Sequence, residues 1–104
     1  MAAAHALVLE SSPLPDAVLS HPPEQILLRF NSRIEHRLTR LTLTDAQGRT
    51  IPLPPIAPAS ATPDRLVIPL PRLAPGIYIL RYRVLAVDGH LTEGLLRFTV
   101  GEPG

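Results

Sequence analysis

Proline constrains this chain more than any other residue. Thirteen of its 104 residues are proline, and each lacks an amide donor and clashes with the preceding helical turn, so long helices are excluded where they stand. Short strands and structured loops remain. Apolar residues make up 45% of the chain and charged residues 18%, enough apolar surface to bury a core and too little charge for a disordered tail. The length allows one domain with one core.

Seven segments read as strands. Ala6 to Glu10 is short and apolar and ends at Ser11-Ser12-Pro13; Ala17 to Pro23 reads as a loop. Glu24 to Asn31 alternates, with Ile26, Leu28 and Phe30 on one face and Gln25, Leu27 and Arg29 on the other. Leu38 to Thr44 repeats the pattern with Leu41 and Leu43 inward, and Asp45-Ala46-Gln47-Gly48 reads as a turn. Thr50 to Leu53 is a short edge strand, because Pro52 and Pro54 cannot donate to a ladder. Arg65 to Leu70 precedes the longest strand, Ile77 to Val87, where Tyr78, Leu80, Tyr82 and Val84 share one face and Arg81 and Arg83 the other. Leu95 to Val100 closes the domain. Turn signals every ~8 to 12 residues without helical periodicity predict an all-β, seven-stranded antiparallel Greek-key sandwich or barrel of immunoglobulin-like architecture.

Composition also removes several functions. Ten arginines against nine acidic residues leave a net charge of +1, too balanced for electrostatic capture of nucleic acid. The absence of cysteine excludes disulfides, thiolate metal sites and a cysteine nucleophile. No apolar run approaches the ~18 to 20 residues that span a bilayer, so no membrane insertion is expected. Ala2-Ala3-Ala4 resembles a signal-peptide cleavage site, so residues 1–4 read as a leader or signal-peptide remnant, 5–101 as the domain and 102–104 as a tail.

One stretch carries candidate chemistry: Val87-Asp88-Gly89-His90-Leu91-Thr92-Glu93-Gly94. In extended backbone, side chains two apart share a face, so Asp88 and His90 would form a pincer of one oxygen and one nitrogen. Holding Cu(II) in a tetragonal field needs at least one more nitrogen, and the obvious donor is His5. The same residues also read as an ordinary turn, since Asp-Gly is a common hairpin dipeptide. His21 and His36 read as solvated loop residues, and Tyr78 and Tyr82 as packing residues. Arg83 and Glu93 read equally as groups orienting the metal ligands or as an exposed pair.

Several pieces together resemble the CopC family of periplasmic copper-binding proteins, which includes PcoC. They are His5-Ala6, Ser11-Ser12-Pro13, Leu28-Arg29-Phe30-Asn31, Leu43-Thr44-Asp45-Ala46-Gln47-Gly48, Leu73-Ala74-Pro75-Gly76-Ile77-Tyr78, Tyr82-Arg83-Val84, Asp88-Gly89-His90, Gly94 and Phe98-Thr99-Val100. The resemblance implies a small β-sandwich that binds one Cu(II) through a histidine brace. The amine and ring of an amino-terminal His5 would join His90 and Asp88 as ligands. It also implies a periplasmic, monomeric, non-enzymatic carrier serving copper homeostasis or resistance, with an inner-membrane copper protein of the CopD type as partner.

The chain departs from the family in two places. Ser32 stands where some members have a Glu near the metal. The region 45–55 has neither Met nor His, and Met1 is the chain's one methionine, so a thioether Cu(I) site is not expected. With residues 1–4 attached, the His5 nitrogen is an amide and the brace cannot form; a chain beginning at Ala3 would instead bind Cu(II) through deprotonated amides. Two other functions remain compatible with the sequence: a metal-free immunoglobulin-like interaction module, and a copper-dependent oxidative enzyme resembling the lytic polysaccharide monooxygenases. Four aromatic residues, all on expected strands, leave the second little with which to grip a polysaccharide.

Overall fold

The computed structural model describes residues 8–55 and 63–101. They form two facing β-sheets. The smaller has the order β1-β3-β6, with β1 at Val8–Ser12, β3 at Gln25–Phe30 and β6 at Arg65–Pro69. The larger has the order β2-β8-β7-β4-β5, with β2 at Ala17–Leu19, β4 at Arg40–Asp45, β5 at Thr50–Ile51, β7 at Gly76–Leu85 and β8 at Leu91–Val100. A single 3-10 turn, His36–Leu38, connects the sheets between β3 and β4. No helix among the described residues is long and apolar enough to cross a membrane, which says nothing of strands.

The core follows from the alternation of side chains along each strand. Ile26, Leu28 and Phe30 from β3 and Leu66 and Ile68 from β6 face Leu43, Leu80, Val84, Leu96 and Phe98 of the larger sheet, and all are buried. Tyr78 closes one end of this layer. It is 5% exposed, stacks on Phe98 at 5.7 Å and donates its hydroxyl to the Ala74 carbonyl at 2.6 Å. This is a corner of the tyrosine type, which locks the entry into β7 to the strand itself. Tyr82 packs edge-on to Phe30 with ring centroids 6.1 Å apart.

The expected sandwich differs from the structure in three respects. The described residues hold eight strands, because Ala17–Leu19, expected as loop, forms β2. That strand pairs with β8 in parallel, Val18 beside Thr99, so the assembly is not wholly antiparallel. Three residues flanked by prolines carry too little periodicity to read, and hydrogen bonds from Asp16 and Gly101 amides to the Arg97 and Leu19 carbonyls hold them. Third, β8 begins at Leu91 rather than Leu95 and pairs with β7 along ten consecutive rungs, from Leu85↔Leu91 to Gly76↔Val100. The polar Thr92-Glu93-Gly94 disguised its start, and pairing with a long neighbour overrode local preference.

Candidate metal centre

The strand pair β7–β8 turns at Ala86–His90. The Gly89 amide donates to the Ala86 carbonyl at 2.9 Å, the Ala86 amide donates to His90 at 2.8 Å, and Gly89 has φ +95°. That is a three-residue hairpin loop closed by a glycine in the left-handed region, where a side chain would be strained. The extended backbone expected at Asp88 and His90 is therefore corrected: the segment is a tight turn, because the glycine at 89 admits positive φ. The turn still brings the two side chains together. Asp88 Oδ1 lies 3.1 Å from His90 Nδ1 and accepts the His90 backbone amide at 3.1 Å.

Both side chains are 49% exposed, so an ion from solvent reaches them. The His90 backbone N–H is the largest of the influences that hold the Asp88 carboxyl below its usual range, and the His90 ring adds to it. The carboxylate is thus kept ionised, as a metal ligand requires. Two donors at right angles on a metal, each ~2.0 to 2.1 Å away, lie roughly 2.9 Å apart. A separation of 3.1 Å is close to that spacing and is also that of a direct hydrogen bond between ring and carboxylate.

The turn is braced from the smaller sheet's side. Ile34 bridges Ala86, the Val87 amide donates to the Arg33 carbonyl at 3.0 Å, and the Glu35 amide donates to Leu85 at 2.8 Å. Segment 31–35 therefore runs beside the turn. In the smaller sheet, Val8 pairs with Phe30, so β1 starts where that segment begins. A depression of about 480 Å³, lined by Leu9, Phe30, Asn31, Ser32, Arg33 and Asp64, opens at this end. The Ser32 and Thr92 hydroxyls are buried without hydrogen-bond partners among the described residues.

Of the three expected ligands, Asp88 and His90 are neighbours, whereas His5 lies outside the described residues. No group of three metal-competent His, Asp or Glu side chains occurs among the described residues. His36 is partly exposed, and its Nε2 lies 2.7 Å from the Arg65 carbonyl, tying the 3-10 turn to β6. Arg83 and Glu93 form an exposed cross-strand pair at 3.8 Å on the outer face of the sheet, so of their two readings the exposed pair is the observed one. Sequence reasoning missed the bracing by segment 31–35, which rests on backbone atoms and leaves no residue signature.

The described residues thus form a small two-sheet β-sandwich with an exposed His–carboxylate pair in the turn at the end where its first strand begins. The chain belongs to the CopC domain family, whose model matches residues 8–101. It is 30% identical to Protein YobA of Escherichia coli strain K12 over 98 residues, spanning 93% of this chain and 79% of that protein. The fold is similar to CopC from Methylosinus trichosporium OB3b, with TM-score 0.85 and 27% identity over 96% of this chain and 97% of that one. It is also similar to PcoC, a methionine-rich copper resistance protein from Escherichia coli, with TM-score 0.77 and 29% identity over 93% and 99% of the two chains. This chain, with its one methionine, shares the fold without the thioethers.

Proposed function

We propose that this protein is a periplasmic copper-binding protein of copper homeostasis and resistance, carrying or sequestering one Cu(II) through His90, Asp88 and His5. The observation that carries the proposal is the Asp88–His90 pair, 3.1 Å apart and half exposed, at the end of the sandwich where β1 begins. His5 precedes β1 by three residues, about 10 Å of extended chain, and a His5 processed to the amino terminus would add an amine and an imidazole. Amine, imidazole and carboxylate are donors that favour Cu(II) among first-row ions. With Met1 as the one thioether in the chain, Cu(I) is the poorer match. Membership of the CopC domain family and the fold shared with PcoC support copper as the cargo. An inner-membrane acceptor of the CopD type fits a carrier role.

The test is a Cu(II) titration of a chain beginning at His5 beside one retaining residues 1–4. The processed chain binds one equivalent tightly; the extended chain, lacking the amine, binds more weakly. His90→Ala costs more than about 100-fold in affinity, beyond what losing a merely supporting group costs, while His21→Ala leaves it unchanged. Equal losses at His21 and His90, or no copper bound by either chain, would remove the proposal.

A further inference from the structure

The outer face of the five-stranded sheet holds charge that neither the core nor the candidate metal centre uses. Residues alternating with the buried ones point outward there, including Arg40 of β4, Arg81 and Arg83 of β7, and Arg97 of β8. Register sets Arg40 directly across from Arg83, Thr42 across from Arg81, and Arg97 across from Ile79. Against these four guanidinium groups stands one carboxylate on the same three strands' outer face, Glu93, 3.8 Å from Arg83. The face therefore carries three positive charges in excess on a chain whose net charge is +1, so the remainder of the molecule is net negative. Among the described residues, neither Arg40 nor Arg97 has a carboxylate within ion-pair distance. Like charges facing across strands, as at Arg40 and Arg83, weaken a sheet.

A depression of about 520 Å³ opens in this face, walled by Arg40, Thr42, Arg81, Arg83, Glu93 and Leu95 and floored by the Tyr82–Gly94 rung. We propose that this face is a docking surface for an acidic segment of a partner protein, whose carboxylates take forked hydrogen bonds from Arg40, Arg81, Arg83 and Arg97. The guanidinium group suits this because its planar donors match both oxygens of a carboxylate. Glu93 shows that a carboxylate is drawn to this face, lying 3.8 Å from Arg83 as a loose ion pair. The occupant is polypeptide rather than an anionic lipid surface, because three of the arginines, Arg40, Arg81 and Arg83, line a depression with room for several side chains, and Arg97 lies on the same face beside it. Thr42 and Leu95 at its wall add a hydroxyl and an apolar contact that a headgroup plane would not use.

The Arg83↔Glu93 rung lies three rungs from the Ala86–His90 turn, about 10 Å at strand spacing. A partner seated there would be beside the candidate metal centre. The inference does not depend on copper, since the charge and the depression stand without it.

The test measures fluorescence anisotropy of a labelled dodecapeptide alternating Glu and Ser, with a Gln–Ser peptide as the neutral control, added to the full chain at low salt. The Glu–Ser peptide binds and the Gln–Ser peptide does not. Binding weakens with added salt and falls about tenfold in the variant Arg40→Gln/Arg81→Gln/Arg97→Gln, as loss of three exposed ion pairs implies. Arg65→Gln, on the other sheet, leaves it unchanged. Single Arg81→Gln, which keeps most of the face, gives a smaller loss and serves should the triple variant fail to fold. Cu(II) affinity is equal in wild type and variants. Glu–Ser and Gln–Ser peptides binding alike, Glu–Ser binding untouched by both variants, or tighter arginine-dependent binding to phosphatidylglycerol vesicles than to the peptide would overturn the proposal.

Discussion

Tyr78 does two separable jobs. Its ring fills the core against Phe98, and its hydroxyl donates to the Ala74 carbonyl at 2.6 Å. Burial and the nearby Asp45 charge raise its pKa, so the phenol stays protonated and keeps donating. Tyr78→Phe removes the hydrogen bond but keeps the ring, so stability falls by about 1 kcal/mol. Tyr78→Ala removes both and costs about 3 to 5 kcal/mol. Denaturant midpoints at unchanged slope check this, and Cu(II) affinity stays constant in Tyr78→Phe because the residue belongs to the corner rather than to the metal centre. The Leu73 to Tyr78 stretch of the family resemblance thus serves as a folding device.

At the scale of elements, β7 and β8 show how a glycine sets close packing between strands. Gly94 pairs with Tyr82, and a Cβ at 94 would run into the phenol end of that side chain. Glycine within a strand marks this kind of close approach. Gly94→Ala should destabilise by about 1 to 3 kcal/mol through overpacking. In a Tyr82→Leu background the added methyl finds room, so the two changes should couple by about 1 kcal/mol in a double-mutant cycle read by denaturant unfolding. Additive effects would mean that the phenol is not what excludes the methyl. Alternation alone grouped Ile26, Leu28 and Phe30 of β3 and Tyr78, Leu80, Tyr82 and Val84 of β7 on single faces, and every one of them is buried or half-buried. It failed at β2, three residues long, and at the start of β8, where Thr92, Glu93 and Gly94 break the apolar alternation and resemble a loop.

For the whole molecule, the sandwich gathers distant segments at one end: the start of β1, segment 31–35 and the β7–β8 turn. A ligand held by parts of the chain so far apart binds the folded form and scarcely binds the unfolded one. Under the proposed function, Cu(II) at 100 times its dissociation constant adds about 2.7 kcal/mol of stability by mass action. The melting temperature of a chain beginning at His5 should therefore rise with copper, and should not rise in His90→Ala. The gain should shrink as pH falls, because protons compete with the metal for its nitrogen donors. Asp88 does not set that slope. Its folded pKa is depressed, so its contribution is present above the ordinary carboxyl range and is lost only as pH falls through the lower folded value.

Proline density, two-residue alternation and Asp88-Gly89 determined locally an all-β chain, the apolar faces of its strands and the position of a turn, because each of these depends on neighbours within a few residues. Tertiary structure alone decided that β2 lies parallel to β8, that Asp88 and His90 meet through a left-handed glycine rather than along a strand, and that four arginines gather on one face. Those outcomes depend on which strands pair and in what register. Pairing is settled by burying apolar faces shared between segments far apart in the chain, and no local pattern records it.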